Sequence, residues 1–306
     1  MLTDSIKNIF DHNIELLGDI NKAISYFREQ RHKEALTIVA NSIDRIKSVI
    51  EAIVSDQEYF NLVATESMLE MLTGILNAKK NMDFILLADL LELQLLSFLV
   101  GVQELIISKE EMSFDEESYK QNLDRLITHG IGMDAQFKEP IDTEDLLNKG
   151  YRVEFTSSGL MTLATQNEGA KFYFHSNSLI QSEAFLLAKH WAQEDKKKYI
   201  LYGFGMGYHV LALAKEAPLS EIEVYESDRN VLQLACAFAD VKELIENDKI
   251  KIIYDPALEN LKQRVGDISE EEAFLIHYPS YMNIKNSENK SLFNSEMSWL
   301  ETIEAL

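Results

Sequence analysis

Cysteine is nearly absent. Cys236 is the only one in 306 residues, which excludes an internal disulfide framework and a cysteine-based zinc site. It stands in an apolar helical run, Val231-Leu-Gln-Leu-Ala-Cys-Ala-Phe238, where a buried structural thiol is expected rather than a nucleophile. Positive charge is also scarce: Lys and Arg number 29 against 51 Asp and Glu, a formal net charge of −22. Such a field repels phosphate backbones and anionic lipid surfaces, so neither nucleic acid nor membrane is expected as a partner. The start, Met1-Leu-Thr-Asp-Ser5, lacks a basic segment followed by an apolar one. No secretory leader is read there, and the expected location is cytoplasmic.

Proline occurs four times, first at Pro140, and before residue 130 the glycines are Gly18, Gly74 and Gly101. That scarcity suits long helices. Apolar residues recur there at three- and four-residue steps: Ile6, Phe10, Leu17, Ile20, Ile24, Phe27; then Leu36, Val39, Ile43, Ile46, Ile50, Ile53; then Phe60, Val63, Met68, Leu72, Ile75, Leu76. The most apolar window runs from Phe84 to Val100 and contains Asp89 and Glu92. Each acid would cost about 2.5–3.5 kcal/mol at a bilayer centre, so a buried bundle helix is expected. A weaker stripe covers Tyr119, Leu123, Leu126 and Ile127. Four or five amphipathic helices imply an antiparallel bundle. A carboxylate metal cluster would need Glu-x-x-His pairs on two helices, and none occurs in this region, so Glu66, Glu70, Asp89 and Glu92 read as solvated. The bundle is expected to pack on the rest of the chain, to self-associate or to meet a protein partner.

The texture changes at Gly130-Ile-Gly-Met and Glu139-Pro140, the expected linker. Short β-forming runs follow at Tyr151–Thr156, Leu160–Thr165 and Lys171–His175, separated by Ser157-Ser-Gly159 and Asn167-Glu-Gly169. They predict a small antiparallel meander. A helix is expected from Ser178 to Trp191. Strands then alternate with helices: Tyr199–Tyr202, Ile222–Tyr225, Lys249–Tyr254 and Ala273–His277, with helices over Tyr208–Glu216, Arg229–Phe238, Ala257–Val265 and, last, Leu292–Leu306. Alternation of this kind implies a parallel sheet. The expected fold class is multidomain α and α/β: a helical bundle over 1–132, linker and meander over 133–177, and a Rossmann-like domain over 178–306.

The stretch that carries chemistry is Tyr199-Ile-Leu-Tyr-Gly203-Phe-Gly205-Met-Gly207-Tyr-His209, followed by Ile222-Glu-Val-Tyr-Glu226-Ser-Asp228. A buried strand ends in a turn too tight for side chains and opens a helix, and the next strand ends on an acid. That layout builds a pocket for a nucleoside-type ligand. A dinucleotide fingerprint would need glycine at position 208, where Tyr208 stands. The spelling Gly-x-Gly-x-Gly resembles that of class I S-adenosylmethionine-dependent methyltransferases. The resemblance implies S-adenosylmethionine as cofactor, Gly203, Gly205 and Gly207 as backbone floor, Glu226 on the ribose and Asp255 near the adenine. The family's usual acid two residues before the first glycine is Leu201 here.

His277, Tyr278 and Tyr281 fall where open α/β sheets bind ligands, and a histidine there has the pKa of a general base. His277 and Tyr278 are therefore the catalytic candidates. His209 is placed to donate to a ligand carboxylate or phosphate. The alternative is that the glycines only allow close packing, that Glu226 is a surface carboxylate and that both histidines are structural. No metal is expected.

A second resemblance lies in Tyr173-Phe-His175-Ser-Asn-Ser-Leu-Ile-Gln-Ser-Glu183-Ala184, the glycine run with its Tyr208-His209 tail, and Ile276-His-Tyr-Pro-Ser280. This set is similar to the N-terminal region of the motility accessory factor family of bacterial flagellin glycosyltransferases. It covers roughly residues 150–285. It implies a place near flagellin or surface-glycan modification, as a ligand-binding protein, an accessory module or a partner that recognises a nucleotide sugar. The family's larger catalytic portion, with its sugar-nucleotide site, follows this region, and the chain ends at Leu306.

Overall fold

In the computed structural model, residues 4–63, 65–110, 114–167 and 170–284 are described. The helix expected over Leu292–Leu306 lies outside them, as does part of the turn at Asn167-Glu-Gly169. The chain divides into two compact units: Met1–Ser113 with Phe155–Leu160 and Asn177–Ser182, and Phe114–Glu154 with Met161–Ser176 and Glu183–Leu306.

The first unit is helical. It comprises α1 (Asp4–Arg28), α2 (His32–Ser55), α3 (Thr65–Lys80), α4 (Phe84–Leu90) and α5 (Ser97–Lys109), with a π-helical segment, Leu91–Leu96, joining the last two. Helix α1 buries Ile6, Phe10, Leu16, Leu17, Ile20 and Phe27, the apolar stripe of its sequence, against α2, α4 and α5. Asp83 caps α4, its carboxylate accepting from Leu86 N at 3.0 Å. The π segment has a reason in the sequence. Leu87, Leu91, Leu95 and Leu99 are all fully buried although they are spaced by four. Each four-residue step overshoots a 3.6-residue turn by about 40°, and the wider π turn absorbs that drift and keeps the leucines on one face. The run Phe84–Lys109 is long and apolar enough to cross a membrane, with mean hydropathy 2.0 over an 18-residue window. Arg28 binds two of its three acids, Asp89 at 2.5 Å and Glu92 at 2.8 Å.

The second unit holds α6 (Glu116–His129), a 3-10 turn (Ala135–Lys138), α7 (Thr143–Asn148), a three-stranded sheet and a four-stranded one. The small sheet, ordered β1-β2-β3, is built from β1 (Tyr151–Phe155), β2 (Met161–Asn167) and β3 (Ala170–Tyr173), with β2 and β3 antiparallel. Helix α8 (Ile180–Ala192) leads to β4 (Lys198–Tyr202), α9 (Tyr208–Glu216), β5 (Glu221–Glu226), α10 (Arg229–Phe238), α11 (Lys242–Ile245), β6 (Ile250–Tyr254), α12 (Glu259–Gly266), β7 (Glu272–Ile276) and α13 (Tyr278–Ile284). The large sheet is parallel, ordered β6-β5-β4-β7, with Leu201 level with Val224 and Leu275.

Period-two alternation sorts this sheet into two faces. Tyr199, Leu201, Ile222, Val224, Ile252 and Leu275 join one core with Trp191, Val210, Leu213, Leu232 and Leu244. Ile200, Tyr202, Tyr225, Ile253 and Ile276 join the other with Leu258, Leu261 and Tyr281. Because both faces are covered, the strands read as continuous apolar runs. Helix α6 belongs to the first of these cores through Tyr119, Leu123 and Leu126. After it, Ile131 adds a parallel bridge to Ile253 at the sheet edge, donating to Ile252 O at 2.9 Å and accepting from Tyr254 N at 2.8 Å.

One buried polar bridge holds α1 to α5. Asn13 Nδ2 donates to Leu99 O at 2.7 Å and to Gln103 Oε1 at 2.9 Å, while Gln103 Nε2 donates to Phe10 O at 3.2 Å. Removing one partner of a buried pair strands the other, at about 1–3 kcal/mol. Asn13→Ala is expected to lower the unfolding free energy of the chain by that amount, as measured by urea denaturation followed by circular dichroism.

Candidate functional site

The carboxyl edge of the parallel sheet is where the chemistry-bearing residues gather. Strand β4 runs into Gly203, Gly205 and Gly207, all with positive φ (98°, 52° and 83°), which glycine adopts without steric cost. Each glycine also faces a neighbour. A Cβ on Gly203 would lie 2.5 Å from Ser280 Oγ and 3.0 Å from His277 Cβ, and one on Gly205 would lie 2.9 Å from His175 Nε2. On Gly207 it would lie 2.6 Å from Leu244 Cδ1. Phe204 and Met206, between the glycines, are buried in the sheet core. The turn is thus lined by the protein's own side chains.

Glu226, at the end of β5, is buried beneath this turn. Its Oε2 accepts from Phe204 N at 2.9 Å, and its Oε1 accepts from Ser227 N at 2.9 Å and Asp228 N at 3.0 Å. Burial pushes its carboxyl up to about 7, with Asp228 adding to the rise and the three backbone donors opposing it. Asp255, after β6, is also buried and begins the turn into α12: its Oδ2 accepts from Leu261 N at 2.8 Å and its Oδ1 from Asn260 Nδ2 at 3.3 Å. Both acids stand at the predicted strand ends, and both are occupied by backbone and side-chain donors.

His209, the second residue of α9, sets Nε2 3.0 Å from Gly203 O. His277, just past β7, sets Nδ1 2.8 Å from Ser280 Oγ. Their rings stack with centroids 4.0 Å apart and 8° between planes. Burial, followed by the neighbouring imidazoles, lowers both well below the ordinary histidine value, so both are neutral at pH 7. Tyr278 is not part of this cluster. It opens α13 and packs on the opposite face with Tyr281, ring centroids 6.3 Å apart.

The structure adds a residue that was named only within a motif. His175, after β3, has its ring centroid 5.3 Å from that of His209 and 4.9 Å from that of His277. Its Nε2 accepts from Met206 N at 3.2 Å, and Nδ1 lies 3.5 Å from Glu183 Oε1 on α8. Glu183 also accepts from Ser176 N at 2.6 Å. Of the seven histidines in the chain, these three each follow a strand or its turn, the one signal in the sequence that could have linked them.

Open space lies to one side of the closed turn. A cleft of about 420 Å³ is lined by Gln136, Ser227, Asp228, Arg229, Asn230, Tyr254 and Pro256, beside the carboxyl ends of β5 and β6. Asp228 caps α10, accepting from Asn230 N at 2.8 Å, and also accepts from the Tyr151 hydroxyl. Arg229 reaches Gln136 O and Oε1, each at 3.2 Å.

Among known families, one described as a domain of unknown function (DUF8042) matches residues 4–105, within the helical unit. No curated protein and no solved structure matches the chain.

Glu226→Gln keeps the shape of the side chain but turns one acceptor into a donor facing a backbone N–H. It is expected to destabilise the chain by about 1–3 kcal/mol. The wild-type acid, raised from 4.5 to about 7 in the folded state, binds its proton more tightly folded than unfolded. Its contribution is therefore fully present below pH 4.5 and is lost as pH rises through 7. Urea denaturation between pH 5 and 8 should show that loss in the wild type and not in Glu226→Gln.

Proposed function

We propose that the α/β unit is a Rossmann-like fold that binds a nucleoside-type ligand, most concretely a nucleotide, in the cleft beside β5 and β6. The observation that carries this reading is the cleft itself, open where Ser227, Asp228 and Arg229 leave the sheet. The sheet order β6-β5-β4-β7 corresponds to the 3-2-1-4 arrangement of doubly wound folds, which bind ligands outside the carboxyl ends of their strands. Asp228 supplies an acceptor for ribose hydroxyls, Arg229 a cation for a phosphate, and Tyr254 an aromatic face for a base.

S-adenosylmethionine is the methyltransferase-like version of the same proposal. There Gly203, Gly205 and Gly207 floor the ligand, Glu226 holds the ribose, Asp255 stands by the adenine, and His277 faces the reacting end without Tyr278, which packs on the opposite face. It requires His175, His277 and Ser280 to withdraw from the glycines, whereas the nucleotide version uses space already open. The motifs similar to motility accessory factors extend the ligand class to nucleotide sugars and the setting to flagellin or surface-glycan modification.

A second reading, a non-catalytic interaction module, draws on the helical unit. An apolar cleft of about 850 Å³ there is lined by Leu62, Met68, Met71, Leu90, Phe98 and Leu105. Leu62, Leu69, Leu76 and Leu93 are exposed on this unit, and apolar surface of this kind marks interaction sites.

Thermal denaturation of the full chain with CMP, UDP, a nucleotide sugar or S-adenosylmethionine separates these readings. A ligand at a hundredfold excess over Kd stabilises by about 2.7 kcal/mol. The nucleotide reading expects that stabilisation with a nucleoside phosphate and its loss in Arg229→Ala. A shift with S-adenosylmethionine alone, lost in Glu226→Gln, selects the methyl-donor version. No shift with any nucleoside, together with self-association by sedimentation, sinks ligand binding and leaves the interaction module.

A further inference from the structure

We propose that His175, His209 and His277 form a binding site for one divalent transition-metal ion held through imidazole nitrogen. One nitrogen from each lies within 4.8 Å of the others, and all three residues are buried. The site is independent of the nucleotide cleft and stands or falls without it.

The outer side of each ring is already engaged. His209 Nε2 faces the Gly203 carbonyl, which can only accept, so Nε2 carries the proton and Nδ1 presents a lone pair. His175 Nε2 accepts from an amide, so its proton sits on Nδ1, toward the Glu183 carboxylate. His277 Nδ1 meets the Ser280 hydroxyl, which leaves Nε2 as the inner atom. Outer partners of these kinds, a carbonyl, a carboxylate and a hydroxyl, orient metal-ligating histidines and fix their tautomers.

The inner side is unsatisfied at two of the rings. His209 Nδ1 and His277 Nε2 are buried with no hydrogen-bond partner, and His175 offers Nε2, whose lone pair is held by Met206 N at 3.2 Å and is released to the ion on ligation. Orphaned polar atoms are uncommon in protein interiors, and a cluster of them calls for an occupant. Gly205 supplies the room, since a Cβ there would lie 2.9 Å from His175 Nε2 and 3.4 Å from His277 Cε1. An all-imidazole set suits zinc, cobalt, nickel or copper, whereas calcium and magnesium seek oxygen ligands.

The stacked pair defines the movement that ligation requires. In-plane lone pairs of two rings 8° from parallel do not converge on one point. One ring must turn. His209 is held by a backbone carbonyl, whereas His277 is held by a hydroxyl that can rotate with it, so His277 is the ring that moves.

The test uses the untagged full chain, stripped with a chelator and titrated with Zn²⁺ and Co²⁺, with metal counted after equilibrium dialysis. One ion per chain is expected, with visible Co²⁺ absorption bands of nitrogen ligation. Glu183→Gln leaves the three ligands in place and is expected to weaken Zn²⁺ binding about 10- to 100-fold, as loss of an outer partner does. His277→Asn is expected to abolish the stoichiometric ion. Circular dichroism confirms folding of each variant, and Glu183→Gln, whose carboxylate is only partly buried, remains informative if His277→Asn does not fold. No stoichiometric ion in folded wild type overturns the proposal. So does an ion retained at full affinity in both variants, which would place it at other histidines.

Discussion

A single buried carboxylate ties the carboxyl edge of the sheet together. Glu226 ends β5, yet its oxygens accept from the amide of Phe204 in the turn after β4 and from its own two successors. The turn after β4 has to bend sharply to bring Phe204 N there, and the bend requires positive φ at Gly203 and Gly205. Once it is made, Phe204 and Met206 drop into the core and His209 is delivered to the face where His175 and His277 wait. The interaction costs desolvation of an acid, and burial outweighs the three donors in setting its protonation. Such a group is tolerated because its two oxygens satisfy three backbone amides at once.

Much of this edge was legible in the sequence, and the reason is local. The strand Tyr199–Tyr202, the helices Tyr208–Glu216 and Arg229–Phe238, and the acids at 226 and 255 follow from apolar runs, glycine spacing and strand length, which are short-range properties. Helix α6 shows the limit. Its stripe of Tyr119, Leu123 and Leu126 predicts a helix but does not say which core it enters, and its nearness in sequence to four bundle helices suggested the bundle. It packs instead on α10 and β6. The helices α7, α11 and α13, of seven residues or fewer, are too short for periodicity to register.

The histidine cluster was invisible for a different reason. Its members come from three chain segments, at 175, 209 and 277, and no spacing rule joins them. In a parallel sheet every strand points the same way, so residues that follow separate strands arrive at one edge however far apart they stand in the chain. His277 and His209 were each given a role toward an external ligand because each was considered alone. Together with His175 they face one another, and their outer nitrogens are committed to Gly203, Ser280 and the region of Glu183.

That arrangement alters what the glycine spacing signifies. Gly203 is required by Ser280 and His277, Gly205 by His175, and Gly207 by Leu244. Each has a sufficient cause within the protein, so the spacing alone no longer argues for a methyl donor lying across the turn. The argument for a small ligand moves about one strand sideways, to Asp228 and Arg229, where the chain leaves β5 and side chains still border open space. The corner with the strongest motif is the closed one, and the same closure is what holds three imidazoles within reach of a single ion.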